Sequence, residues 1–214
     1  MPEPRHIGQF ILSDGDPACR DWTRAVLTRA LMVTLAFVAL MTGLGIARAS
    51  DEGWALAAKP GHVVLMRHSN APGVGDPEGY RIDNCATQRN LDSKGRDQSR
   101  RVRAAAEARG FRFDVVLSSA WCRCLETARL VTGEEPVTFS GLNSFFDEPS
   151  RQARQVAEVK ARVKSLGDST RVLMVTHQVV ITALTGRSTA SGEMIVARRR
   201  LDGSLTPVAS IMVK

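Results

Sequence analysis

The stretch HVVLMRHSNAPG, residues 62–73, decides how the chain is read. Its continuous apolar run, Val63 to Met66, reads as a buried strand. The strand delivers Arg67 and His68 to its tip and then gives way to Ser, Asn, Pro and Gly. Two cationic side chains at the tip of a buried strand need a physical reason, and the rest of the sequence supplies one.

Working outward, residues 70–90 are rich in Gly, Pro, Asp and Asn without periodicity, a loop long enough to be functional. Residues 93–109 read as a helix with Ala104, Ala105 and Ala108 on its apolar face and Gly110 as its stop. A strand follows at 114–118, then a helix at 121–132 whose buried side is Leu125, Ala128 and Leu130. A short strand at 136–140 precedes a polar helix at 150–166, with Ala153, Val156, Val159, Val163 and Leu166 at helical spacing. Residues 171–176 are a strand, 178–185 a short helix, and 193–198 and 206–213 two strands joined through Asp202-Gly203. Alternating strands and helices predict an α/β fold, a three-layer open and mostly parallel sheet with helices on both faces. Ligands of such sheets bind beyond the carboxyl ends of the strands.

The 214 residues suit one domain with some extra length, and 43% hydrophobic with 24% charged residues are ordinary globular values. The extra length is N-terminal. Residues Leu31 to Ala47 carry no charge, Arg20, Arg24 and Arg29 precede them, and Ala47-Arg48-Ala49 offers the small residues of a cleavage site. Residues 1–49 are therefore expected to be a signal peptide or a membrane anchor, 50–59 a linker, and 60–214 the folded domain. Either reading of 1–49 places the domain outside the cytoplasm, periplasmic or secreted, or held at the inner membrane.

The formal charge is +7, and residues 50–214 keep 24 basic against 18 acidic side chains. That balance fits nucleic acid, an anionic surface or anionic small substrates. Aromatics are 5% and no basic stripe is interleaved with them, which argues against a nucleic-acid partner. Arg198-Arg199-Arg200 reads as a solvated strand end. Cys122-x-Cys124 has no second pair to complete a zinc site, so no metal is expected.

Three strand ends hold the chemistry. The first ends in Arg67-His68. The second ends in Ser118-Ser119 and runs through Arg123 into a helix. The fourth ends in Thr176-His177. Bringing two histidines and two arginines to one crevice costs energy unless an anion sits among them. Paired guanidinium forks suit phosphate or carboxylate, and a histidine held among them can attack phosphorus.

"LMRH", "SSAWCRCLETA" and "VTHQ", with "NLDSKGRDQSRRV" between the first two, resemble the successive motifs of the histidine phosphatase (phosphoglycerate mutase-like) superfamily. "VTHQVVITALTG" followed by "SGEMIVA" resembles its small exported bacterial members. The resemblance spans roughly residues 60–200. It implies a phosphomonoesterase with no metal or cofactor, in which His68 becomes a phosphohistidine, Arg67 and Arg123 bind phosphate, and His177 stabilises the transferred group. Glu126 and Thr127 are read as helix packing and capping. Where one branch of the family carries His-Asp with an acid Asp, this chain has His177-Gln178. The remaining acid candidates are Asp147, the first choice, and Glu148; their other reading is capping of the following helix by Asp147 or Ser150. Gln88 and Arg89 are placed near the phosphate or the substrate body. Cys85 could bond Cys122 or Cys124 and pin the long loop. The expected partner is a phosphorylated small molecule or envelope component. A non-catalytic binder of phosphorylated ligands and a phosphomutase are the alternative readings.

Overall fold

The structure, a computed structural model, describes residues 51–214. The expected signal or anchor at 1–49 lies outside the described residues. Among the described residues no helix is long and apolar enough to cross a membrane.

Six strands form one sheet: β1 (His62–Arg67), β2 (Val115–Ser118), β3 (Val137–Thr138), β4 (Val172–Thr176), β5 (Met194–Arg199) and β6 (Leu205–Ile211). Their order is β3-β2-β4-β1-β5-β6. The first four are mutually parallel, and β5 and β6 add an antiparallel edge. Pro207, which has no N–H to give, sits in the edge strand β6 beside a register shift at Val196/Ala197.

The parallel strands are apolar on both faces because helices cover both. Val64 and Met66 of β1 and Leu173 and Val175 of β4 join one core with α2 (Ser93–Glu107) and α3 (Cys122–Thr132). Val63, Leu65, Val172 and Met174, the alternate residues, join a second core with α4 (Gln152–Ser165) and α5 (Gln178–Thr185). This is the expected three-layer α/β arrangement.

Local details depart from the sequence reading. The expected linker at 50–59 is helical over residues 51–57 (α1), and Trp54 and Ala57 are buried in the first core. The Trp54 indole meets Phe111 edge-on, 5.3 Å between ring centroids. So large an aromatic surface gains more from burial than from solvent. In α2 the buried stripe is Gly95, Ser99, Val102 and Ala106, not the alanines at 104, 105 and 108. Gly95 is needed there: a Cβ would stand 2.1 Å from the Asn70 carbonyl oxygen, so glycine lets the helix start pack on the chain just past His68. In α3 Ala128 is buried as expected, joined by Thr127 and Val131. β3 is only two residues long, because the chain turns at Ser140–Leu142 to bury Leu142.

Candidate active site

The carboxyl ends of β1, β2 and β4 open into a cavity of about 720 Å³. Arg67, His68, Arg89, Arg123, Asp147 and His177 all line it. Parallel register explains the convergence. Arg67 pairs with Thr176, so His68 and His177 leave adjacent strands side by side. Their rings are 5.5 Å apart between centroids, edge to face.

His68 is 2% exposed. Its Nδ1 lies 2.8 Å from the Ser69 carbonyl oxygen, which can only accept; Nδ1 therefore carries the hydrogen and Nε2 keeps its lone pair. Burial, reinforced by the charges of Arg123, Arg89 and Arg67, pushes the His68 pKa down to about 3 against the Ser69 hydrogen bond. The ring is therefore neutral and nucleophilic at ordinary pH. The Ser69 N–H donates to Thr127 Oγ1 at 3.1 Å, and that hydroxyl donates to the Arg123 carbonyl at 2.7 Å. Thr127 thus fastens the strand tip that carries His68 to α3, which is more than helix packing. Glu126 accepts from Arg96 at 2.6 Å, tying α3 to α2.

His177 is the residue ahead of α5. Its Nε2 is 2.8 Å from Ser119 Oγ, at the end of β2. The same hydroxyl also reaches Asn143 Oδ1 at 3.3 Å, so the Ser119–His177 contact admits either ring tautomer. Burial, then Arg123, holds the His177 pKa well below the ordinary value, so this ring is also neutral. Cys124 Sγ lies 3.5 Å from the same Nε2, but burial pushes its thiol up to about 12 and leaves it unreactive.

The cations come from three segments. Arg67 donates from Nη1 to the Thr189 carbonyl at 2.8 Å, and its Nε–H is buried without a partner. Arg89 donates to the carbonyls of Gly75 and Ala71 while lining the cavity. Burial and the Arg123 charge lower the pKa of both Arg67 and Arg89. Arg123, 2% exposed, opens α3, and its Nε–H is likewise buried and unpartnered.

The residue that sequence reading missed is Asp76. Its carboxylate takes the Arg123 fork end-on, Oδ1 to Nη1 at 2.7 Å and Oδ2 to Nη2 at 3.0 Å, both side chains being 3% exposed. The Arg89 backbone N–H and Trp121 Nε1–H donate to the same carboxylate, each at 3.0 Å. Burial alone would raise the Asp76 carboxyl, but these hydrogen bonds and the Arg123 charge outweigh it and hold it below the ordinary value. No periodicity marks Asp76; its only signal was a place in a long loop after the first strand.

Two expected site residues take other positions. Gln88 does not line the cavity. Its amide donates to the Arg81 and Ile82 carbonyls and accepts from the Cys122 N–H at 3.0 Å, so it shapes the loop. Glu148 pairs with Arg151 at the surface, and neither Asp147 nor Ser150 caps α4. Asp147 is exposed at the cavity mouth, beside the half-exposed Phe146 and across from Val74 on the loop. Gln178 donates to Ser188. The loop itself is bonded to α3 by a Cys85–Cys122 disulfide, which leaves Cys124 free.

No family model matches the chain, and no curated protein matches it in sequence. Solved structures do match its fold. The product of open reading frame Rv3214 from Mycobacterium tuberculosis aligns with a TM-score of 0.54 at 16% identity, over 72% of this chain and 98% of that one. The alpha-ribazole phosphatase from Shigella flexneri aligns at 0.51 and 17%, over 72% and 96%. A mycobacterial glucosyl-3-phosphoglycerate phosphatase, Rv2419c, solved with inorganic phosphate, aligns at 0.51 and 14%, over 72% and 97%. The chain has the α/β fold of the histidine phosphatase (phosphoglycerate mutase-like) superfamily, in line with the sequence resemblance.

Proposed function

We propose that this chain is a phosphomonoester hydrolase that works through a phosphohistidine at His68. One observation carries the reading: a buried, neutral histidine keeps its Nε2 lone pair in a cavity that it shares with Arg67, Arg89, Arg123 and His177. The fold likeness to two phosphatases supports it.

The Ser69 carbonyl holds the imidazole in the tautomer that attacks with Nε2. The phosphoryl group lies among the three guanidinium groups that line the cavity, whose planar donors suit its oxygens. As the N–P bond forms and the P–O bond breaks, charge builds on the equatorial oxygens. Cations already held in place stabilise it with little reorganisation. His177, held by Ser119, is the neutral ring beside the transferred group. Water then releases phosphate and restores His68.

The substrate is a phosphorylated small molecule or envelope component. An export signal or anchor at 1–49 and the Cys85–Cys122 disulfide both favour a compartment outside the cytoplasm. A pure binder of phosphorylated ligands needs the arginines but not a neutral histidine with a bare nitrogen among them. A phosphomutase needs a phosphodonor and a closed site, and an exported protein has little access to phosphosugar donors.

The test is phosphate release from a panel of monoesters by residues 50–214, with and without EDTA, and trapping of an acid-labile phosphoenzyme. EDTA-resistant turnover that disappears in His68→Ala supports the reading. Tight binding of one ester with no hydrolysis across the panel favours the binder instead.

A further inference from the structure

The proposed chemistry leaves one step without a residue. An alkoxide leaving from phosphorus needs a proton, and general acids contribute about 10²–10⁴-fold to such steps. Gln178 carries no acidic proton, Glu148 is paired with Arg151, and Asp147 stands in solvent at the mouth. Asp76 is the carboxyl buried inside the cavity, and it occupies the fork of Arg123.

We propose that Asp76 is the proton donor to the leaving group: substrate phosphate takes its place on Arg123, and the displaced carboxyl protonates the departing oxygen. This rests on the phosphatase reading above.

The geometry supports an exchange. Carboxylate and phosphoryl oxygens suit the same two-pronged guanidinium contact. With no anion bound, Asp76 neutralises one of three clustered arginines, which would otherwise repel one another. A phosphate dianion brings more charge to the same fork. Once it is there, Asp76 loses its cation and gains an anionic neighbour. It stays close, because the loop is tied to α3 through Cys85–Cys122 and Gln88. Both changes drive a buried carboxylate to take up a proton.

The other groups around Asp76 are consistent with this assignment. Arg89 lies on its own loop, as does Tyr80, whose phenol burial raises, with Asp147 and Asp76 adding to the shift. Arg123 and the inert Cys124 face it from α3. Arg67, His68, His177 and Asp147 share the cavity. Among the described residues of this lining, Asp76 and Asp147 are the carboxyls, and only Asp76 is shielded from water.

The step balances. The N–P bond forms from His68 Nε2 as the P–O bond breaks, and the Asp76 proton goes to the departing oxygen. The resulting carboxylate takes a proton from the attacking water. The N–P bond then breaks, and phosphate and neutral His68 are restored.

The experiment compares two leaving groups in the phosphorylation phase, read as burst or single-turnover rate. 4-Nitrophenolate leaves without a proton; a simple alkoxide does not. Asp76→Asn should slow alkyl phosphate cleavage at least ~10²-fold and change 4-nitrophenyl phosphate only a few-fold. Asp76→Glu, which keeps a carboxyl, should recover part of the alkyl activity. Equal losses on both esters, or none on either, overturn the proposal and leave the phosphohistidine reading intact. Absence of turnover and label in the unsubstituted protein overturns both. Should Asp76→Asn fail to fold, the unsubstituted protein still decides whether a proton is supplied. A phosphorylation rate nearly independent of leaving-group pKa supports a buried acid, and a steep fall towards alkyl esters refutes one.

Discussion

Cys85 is bonded to Cys122, the residue immediately before Arg123 and 37 positions further along the sequence. The bond fixes the 70–90 loop to the start of the helix that presents a cavity arginine. Closing a loop of this length in the unfolded chain is worth about 2–4 kcal/mol. Cys85→Ser, or reduction of the protein, should lower stability by that amount in a denaturant melt. It should also weaken phosphate binding, because Arg89 rides on the freed loop. An unchanged melt would show that the bond contributes nothing to the fold.

His68 and His177 make stability depend on pH. Both have folded pKa values below the unfolded value, His68 at about 3. The unfolded chain therefore binds more protons below pH ~6.5, and stability is full above that value. It falls as pH drops from about 6.5 towards 3, by up to about 1.4 kcal/mol per pH unit for each histidine. His68→Asn should flatten part of this slope. A melt series with the same acid slope in the variant would contradict the burial of a neutral ring.

Thr127 joins the Ser69 N–H to the Arg123 carbonyl and is fully buried. Thr127→Val keeps the shape but strands the Ser69 N–H, a loss of about 1–3 kcal/mol. The same change should reduce kcat, since the N–H it frees lies next to His68. Stability loss without any change in kcat would make Thr127 a packing residue only.

Phe146 and Val74 stand 53% and 87% exposed at the cavity mouth. Apolar surface held beside a charged pocket predicts preference for phosphate esters with an apolar or aromatic body. Phe146→Ser should raise KM for such esters ~5-fold, about 1 kcal/mol, and leave kcat unchanged. Equal KM changes for a small polar ester would remove this role.

The strand ends were legible because their signals are local. A continuous apolar run ends at a polar tip three times, and parallel pairing brings such tips together whatever the loops do. What lay in loops was not. Asp76 sits in a Gly/Pro-rich stretch where no period links residue to position, and only the folded loop returns it to Arg123. Sequence places Gln88 near the phosphate or the substrate body, but its amide serves the loop's own carbonyls, a choice set by three-dimensional hydrogen bonding. Two cysteines at the start of the same helix are candidates for Cys85, and only folding separates them: Cys122 takes the bond while Cys124 packs against Thr176 and His177. Trp54 looked like part of a spacer because one aromatic in a polar stretch shows no periodicity, although burial against Phe111 makes it core.

The central claim is attack by His68 on phosphorus. Brief incubation with a ³²P-labelled monoester, acid and alkali stability of the trapped protein, and mapping of the labelled peptide test it directly. The account predicts one acid-labile, alkali-stable phosphate on the peptide that contains His68, absent from His68→Ala, which folds but releases no phosphate. Undiminished phosphate release by His68→Ala would contradict it.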